Sequence, residues 1–208
     1  MKQLVAVAVL GAFLAGSAGA QTTKKELPVV VFETTKGNIE IELYPDKAPQ
    51  TVQNFLYYVD NKFYDGLIFH RVIADFMIQG GGFTPEMTQK QPKPAIEIES
   101  SNGLKNDKYT VAMARTSDPN SATSQFFINV KDNAFLNFTA KTPQGYGYTV
   151  FGKVVAGQNV VHAIEKVKTG SKNGMNDVPV EVVKITKAYR KGAAAAPTQG
   201  AAKTEGKG

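Results

Sequence analysis

The feature that most constrains this chain is a long succession of short strand-like segments, interrupted by only two stretches of helical period. "PVVVFETTKGNIEIELY" holds two apolar segments around a Lys36-Gly37 turn, and in the second Ile39, Ile41 and Leu43 alternate with Glu40 and Glu42. Alternation of this kind turns one face to a core and the other to water. "LIFHRVI", "FMIQGG", "AIEIE", "YTVAMAR", "SQFFINV", "YTVFGKVV" and a closing "VPVEVVKITKAY" read as further strands. The helical stretches are "APQTVQNFLYYVDN" and the shorter "GQNVVHAIEKV". In the first, Pro49 suits an opening turn, and Val52, Phe55, Leu56 and Val59 fall on one face. A single helical turn is expected over residues 132–136 and a proline-punctuated loop over 83–94. So few helices exclude a doubly wound sheet or an α/β barrel. What fits is a closed or nearly closed antiparallel barrel, plugged by a helix at each end.

Both ends of the chain differ from this pattern. "MKQLVAVAVLGAFLAGSAGA" places Lys2 before an apolar run that ends in Ala18 and Ala20, the layout of a secretory signal peptide. The run is shorter than the roughly 20 apolar residues a membrane anchor needs. Residues 1–20 are therefore expected to be removed, 21–27 to be a flexible lead-in, and 28–190 to form one domain. The closing "KGAAAAPTQGAAKTEGKG", residues 191–208, lacks aromatic and branched aliphatic side chains and is expected to be a disordered tail. The expected compartment is the periplasm, or the medium if the cell has a single membrane. No stable membrane insertion is expected after cleavage, and the complete barrel pattern suits a monomer.

Composition removes several classes of function. There is no cysteine, so disulfide frameworks, thioredoxin-like sites and thiolate metal sites are excluded. The formal net charge of +6 is carried almost wholly by scattered lysines, with Arg71, Arg115 and Arg190 the only arginines. This pattern does not form a nucleic-acid stripe, and no nucleic-acid partner is expected. His70 and His162 are the only histidines, too few for a three-histidine zinc site. A serine triad needs a histidine base near one of the serines, and hydrolase chemistry is poorly supported. Gly80, Gly81 and Gly82 lack the lysine and helix of a phosphate loop and read as a turn. No metal or cofactor is expected. His70 adjoins Arg71 in a strand, so its side chain should point to the opposite face.

"FHRVIADFMIQGG", "VAMARTSDPNSATSQFFINV", "NAFL" and "YTVFGKVV", in this order and spacing, together resemble the cyclophilin family of peptidyl-prolyl cis-trans isomerases. The resemblance runs from about Val29 to Ala188. It implies a mainly β fold, an eight-stranded antiparallel closed barrel capped by two α-helices, and isomerase activity on X-Pro bonds in exported proteins. Details of the motif point to the bacterial exported branch. By position, Arg71 matches the family's catalytic arginine and Gln79 a polar residue on the substrate backbone, which makes these two the candidate catalytic residues. Phe76, Met77, Phe127 and Leu136 match the walls of the proline pocket. Ala114, Arg115, Thr116 and Gln125 match a segment and a polar group lying along the peptide. Phe135 stands where better-known members carry tryptophan, and Tyr148 where they carry histidine. The lost indole N–H implies weak cyclosporin sensitivity. An alternative is a proline-binding or chaperone module with little turnover.

The chemistry suits these residues. Rotation about an X-Pro bond needs no nucleophile; the barrier, roughly 18–20 kcal/mol for peptide bonds, is the loss of amide resonance. A fixed cation near the pyramidalising proline nitrogen favours the twisted state, and arginine stays charged with a stiff fork of donors. Strand alternation puts Met77 and Gln79 on one face but leaves Phe76 one residue off. Either the chain bends at Phe76, or Phe76 reaches the pocket from a corner.

Overall fold

The computed structural model describes residues 26–192. The expected signal segment, most of the lead-in and all but two residues of the expected tail lie outside the described residues. The hairpin β1 (Val29–Thr34) and β2 (Gly37–Leu43) is followed by helix α1 (Pro49–Asp60), β3 (Phe69–Ile73), β4 (Met77–Gly80), β5 (Thr110–Met113) and β6 (Phe126–Asn129). A 3-10 turn (Ala134–Leu136) precedes β7 (Val150–Ala156), α2 (Gln158–Glu165), the hairpin β8 (Thr169–Lys172) and β9 (Met175–Pro179), and β10 (Ile185–Arg190).

Eight strands form one antiparallel sheet in the order β10-β1-β2-β7-β5-β6-β4-β3, and β8-β9 stands apart as a two-stranded ribbon. The expected closed barrel is thereby corrected. The sheet is an open half-barrel whose two edges, β10 and β3, share no ladder. The segments leading into them meet where Ile68 bridges Lys184, with bonds such as Phe69 N–H to the Val183 carbonyl (2.9 Å) and Ile185 N–H to the Leu67 carbonyl (2.8 Å). Beyond that point β10 follows β1, while β3 is carried off by an irregularity at His70. The free edge of β3 is flanked by the β8-β9 ribbon: Ile68, Met87 and Val178 form a small apolar cluster with Phe83 and Met175. Covering an edge in this way hides unpaired backbone groups that would otherwise recruit another strand.

The ribbon also corrects the single closing strand expected from "VPVEVVKITKAY". β9 ends at Pro179 and β10 begins only at Ile185, with Val180 N–H beyond Pro179 still bonded to the Lys168 carbonyl (2.9 Å) of the ribbon. The expected strand "AIEIE" is reduced to one bridge, Ile96 to Ala122. Its next N–H groups go to side chains instead, Ile98 to Asn120 Oδ1 (3.0 Å) and Glu99 to Thr149 Oγ1 (3.1 Å). Glu99 then serves α1. Ala48 offers no side-chain cap, and the Glu99 carboxylate accepts from the N–H groups of Gln50 (3.1 Å) and Thr51 (2.8 Å). A carboxylate at a helix N-terminus satisfies orphan donors and complements the dipole.

The alternation read in β2 is realised: Ile39, Ile41 and Leu43 are fully buried. The helical face Val52, Phe55, Leu56 and Val59 packs into the same core. Phe32, Phe55, Tyr64, Phe126 and Phe151 form its aromatic centre, with Phe55 and Phe151 centroids 5.0 Å apart. At the end of β4, Gly81 takes φ +84°, and a Cβ there would lie 2.9 Å from the Phe126 ring and the Ser124 carbonyl. The expected turn over the glycine triplet is thus corrected: Gly80 closes β4, paired with Phe126, and Gly81 and Gly82 bend the chain against the core.

Candidate active site

Strands β3, β4, β6 and β5 carry two parallel rows of residues, because their registers put like faces together. One row, Val72, Ile78, Ile128 and Val111, is buried in the main core. The alternate row, Arg71, Gln79, Phe127 and Ala112, lies on the other face. A second, smaller apolar cluster forms on that face from Met77, Ala112, Phe127, Leu136 and Val150, with Phe76, Ala114 and Tyr148 packed against it. The strands that carry both clusters, β5 and β6, are buried along their whole length. They therefore show no polar alternation.

These residues open on a cavity of about 380 Å³. Ten of the twelve site residues expected from sequence take part in it. Arg71, Gln79, Phe76, Met77, Ala114, Arg115, Gln125, Phe127, Leu136 and Tyr148 line it. Phe135 and Thr116 do not. Phe135 is 72% exposed and stacks on Phe76 at the rim, with ring centroids 5.6 Å apart. Thr116 is occupied with a local turn, its N–H and hydroxyl both bonded to Ser121 Oγ (2.9 and 2.8 Å).

Phe76 sits at a bend. Ile73 pairs with Met77 across the β3-β4 hairpin, leaving Ala74, Asp75 and Phe76 as the loop, with Asp75 at φ +56°. The left-handed residue turns the chain so that Phe76 and Met77, adjacent in sequence, both reach the cavity. The bend is held from three sides. Asp75 N–H donates to the buried Glu165 of α2 (2.9 Å), and the Phe76 carbonyl accepts from Val130 N–H (3.1 Å) and Asn133 Nδ2 (2.9 Å).

Asn133 belongs to a buried amide chain that sequence reading missed. Its Nδ2 also donates to Asn129 Oδ1 (2.7 Å), and Asn129 Nδ2 donates to Asn106 Oδ1 (3.2 Å) and Thr110 Oγ1 (2.9 Å). Asn106 Nδ2 then reaches the Leu136 carbonyl (3.0 Å). One polar chain thus fixes the backbone of two pocket walls, Phe76 and Leu136. The signal available was the presence of three asparagines in otherwise apolar or turn segments.

His70 does not point away from the cavity as alternation predicts. Phe69 pairs with Gly80 and Arg71 with Gln79, so two steps on β3 match one on β4. His70 is the extra residue of a β-bulge, which re-aims side chains locally. It is 1% exposed, lies 4.6 Å from the Phe83 ring and lines the cavity beside Arg71. Burial, reinforced by the Arg71 charge, lowers its pKa from the usual 6.5 to about 4. It is therefore neutral at physiological pH. Phe83 and Met175 are the other lining residues that the sequence did not reveal.

The polar groups divide the work. Gln79 Nε2 donates to Gln125 Oε1 (3.0 Å), joining the two glutamines along one wall. Arg115 is committed to its own loop: Nε donates to the Gly147 carbonyl (2.9 Å), Nη1 to the Thr116 carbonyl (2.8 Å), and the guanidinium lies 4.9 Å from the Tyr148 ring centroid. It clamps Tyr148 rather than reaching into the cavity as a free cation. Arg71 carries the other guanidinium of the site, with its side chain 41% exposed. Among the described residues no group of three His, Asp or Glu side chains is placed to hold a metal ion. The site offers a positive charge over an apolar floor, with amide donors and acceptors along one side.

The family model of the cyclophilin type peptidyl-prolyl cis-trans isomerase matches residues 29–190. The chain is 62% identical over 162 residues to the peptidyl-prolyl cis-trans isomerase cyp18 of Streptomyces antibioticus, covering 78% of this chain and 98% of that protein. It is 55% identical over 157 residues to peptidyl-prolyl cis-trans isomerase B of Escherichia coli, covering 76% and 96% respectively. Among solved structures it is similar to a Cryptosporidium parvum cyclophilin type peptidyl-prolyl cis-trans isomerase crystallised with the dipeptide ala-pro. There the TM-score is 0.65 at 28% identity, with 77% of this chain and 97% of that one covered.

Proposed function

The chain belongs to the cyclophilin-type peptidyl-prolyl cis-trans isomerases and catalyses rotation about X-Pro peptide bonds, and from that premise we propose how its residues do so and where it works. The observation that carries the mechanism is the placement of Arg71 in one cavity with Phe76, Met77, Phe127 and Leu136. The proline ring enters the apolar floor these four residues make. Gln79 and Gln125 bond to the substrate backbone, and Ala114 lies along the peptide.

With the ring held, the preceding carbonyl swings. As resonance is lost the proline nitrogen pyramidalises and gains a lone pair, which the Arg71 guanidinium stabilises. Planar cis and trans substrates lack that lone pair, so the interaction favours the twisted state over both, the condition for lowering the barrier. Beside an apolar wall the Arg71 field is less screened than in water. His70, neutral beside it, adds no competing charge.

Titration with a short Xaa-Pro peptide, followed by amide resonances, tests these assignments. The amides of Gln79, Ala114 and Phe127 are expected to shift. Shifts centred on α1, with none on these strands, would remove the cavity from the mechanism.

The compartment follows from a different part of the chain. We place the protein in the bacterial exported branch, acting in the periplasm on proline-containing unfolded or loop segments of newly exported proteins. The support is the basic start, apolar run and Ala-x-Ala close of residues 1–20. Cell fractionation with N-terminal sequencing is expected to recover a mature chain beginning at Gln21 outside the cytoplasm. A cytoplasmic chain retaining Met1 would contradict this.

A further inference from the structure

Arg71 has an ionic neighbour that the reaction as described does not use. Asp177, on the β8-β9 ribbon, brings Oδ2 to 3.7 Å from Arg71 Nε, and both side chains are 41% exposed. Two residues before it on β9, Met175 lines the cavity. Gly170 pairs with Val178 and Lys172 with Met175, so β9 carries an extra residue between them. At this bulge, which re-aims side chains locally, Met175 meets the cavity and Asp177 meets Arg71, and β9 forms a wall of the site. The wall is anchored. Val178 packs with Ile68 and Met87, and Lys172 Nζ and Asn173 Nδ2 donate to the carbonyls of Pro85 (2.9 Å) and Glu86 (3.3 Å). Asp177 itself has φ +62°, a left-handed conformation that aspartate and asparagine tolerate better than most residues.

We propose that Asp177 is a positioning residue for isomerisation, holding the Nε edge of the Arg71 guanidinium so that the Nη edge stays directed at the cavity. The guanidinium is planar and presents its donors on distinct edges. A carboxylate on the Nε edge restrains the long, half-exposed side chain and leaves Nη groups free to meet the developing lone pair. Among the described residues Asp177 is the carboxylate that pairs with Arg71. The inference rests on the proposed role of Arg71, and extends it to the element that keeps Arg71 in place.

The test is a double-mutant cycle with Asp177→Asn and Arg71→Lys, measured in a protease-free X-Pro peptide isomerisation assay. Asparagine keeps the shape and the left-handed backbone, so the ribbon stays folded. Asp177→Asn is expected to lower kcat by about two- to fivefold, the range of a partly exposed ion pair, with KM little changed. In the Arg71→Lys background, where the planar fork is gone, the same change is expected to have no further effect, and Asp177→Glu to recover part of the loss. An equal loss in both backgrounds would mean that Asp177 only stabilises the ribbon, and would overturn the proposal. So would an unchanged or raised kcat in Asp177→Asn, the latter making Asp177 a brake. Full activity in Arg71→Lys would overturn the inference alone, because lysine keeps the charge but has no guanidinium edges. Full activity in a folded Arg71→Ala would overturn the role of Arg71 and the inference with it, which keeps the two failures distinct.

Discussion

His70 shows how far a single residue can depart from strand alternation. The bulge that admits it places an imidazole and a guanidinium side by side in one cavity, and burial then keeps the imidazole neutral. Its pKa is lowered below the unfolded value, so the unfolded state binds the proton more readily between about 4 and 6.5. Stability from this residue is therefore complete above the unfolded pKa and is lost as pH falls through that window. The loss amounts to up to ~3 kcal/mol at a shift of this size. Denaturant unfolding at pH 7 and pH 4 is expected to show a steeper fall for the wild type than for His70→Gln. Equal falls would mean that His70 is not held neutral by burial. That Arg71, Gln79, Phe76, Met77, Phe127 and Leu136 share one cavity was legible in the residues and their family order. The company Arg71 keeps was not. His70, Phe83, Met175 and Asp177 arrive through a bulge, a loop and a ribbon, none of which leaves a periodic trace.

At the scale of elements, the pocket depends on a turn and on buried amides more than on the strands that carry it. Phe76 reaches the cavity because Asp75 takes a left-handed conformation and because Glu165 and Asn133 hold the turn from α2 and from the segment after β6. The expected conflict between Phe76 and alternation is resolved by that bend. The helices and most strands follow from local pattern. "AIEIE" does not form its strand, since its N–H groups are diverted to Asn120 and Thr149, a tertiary choice that no local pattern encodes. Asn133→Ala removes the donor to both the Phe76 carbonyl and Asn129 Oδ1. It is expected to cost about 1–3 kcal/mol, the scale of a buried polar group left unpaired, and to lower kcat/KM by freeing Phe76. Thermal unfolding and the isomerisation assay on the same variant check both parts. Loss of stability with unchanged kcat/KM would detach the amide chain from the pocket.

On the scale of the whole molecule, the open sheet turns one side inward to the main core and keeps the row of Arg71, Gln79, Phe127 and Ala112 on the other. The closed barrel expected from strand count and family likeness fails at one seam, where the segments leading into β10 and β3 meet in a bridge and the strands then share no ladder. Strand number and alternation do not determine closure; the bulge in β3 follows directly on the bridge, where the two edges part. With the β3 edge flanked by the ribbon, the mature chain is expected to sediment as a monomer at micromolar concentration. A stable dimer would point to β10 as an exposed pairing edge. Rotation about X-Pro bonds driven by the Arg71 charge above an apolar floor is checked by kcat/KM for a Xaa-Pro peptide in a protease-free assay with wild type and Arg71→Ala. The predicted result is a loss of about a hundredfold or more, the scale of removing a preorganised electrostatic group, with an unfolding midpoint close to that of the wild type. A folded Arg71→Ala chain with wild-type kcat/KM would contradict it.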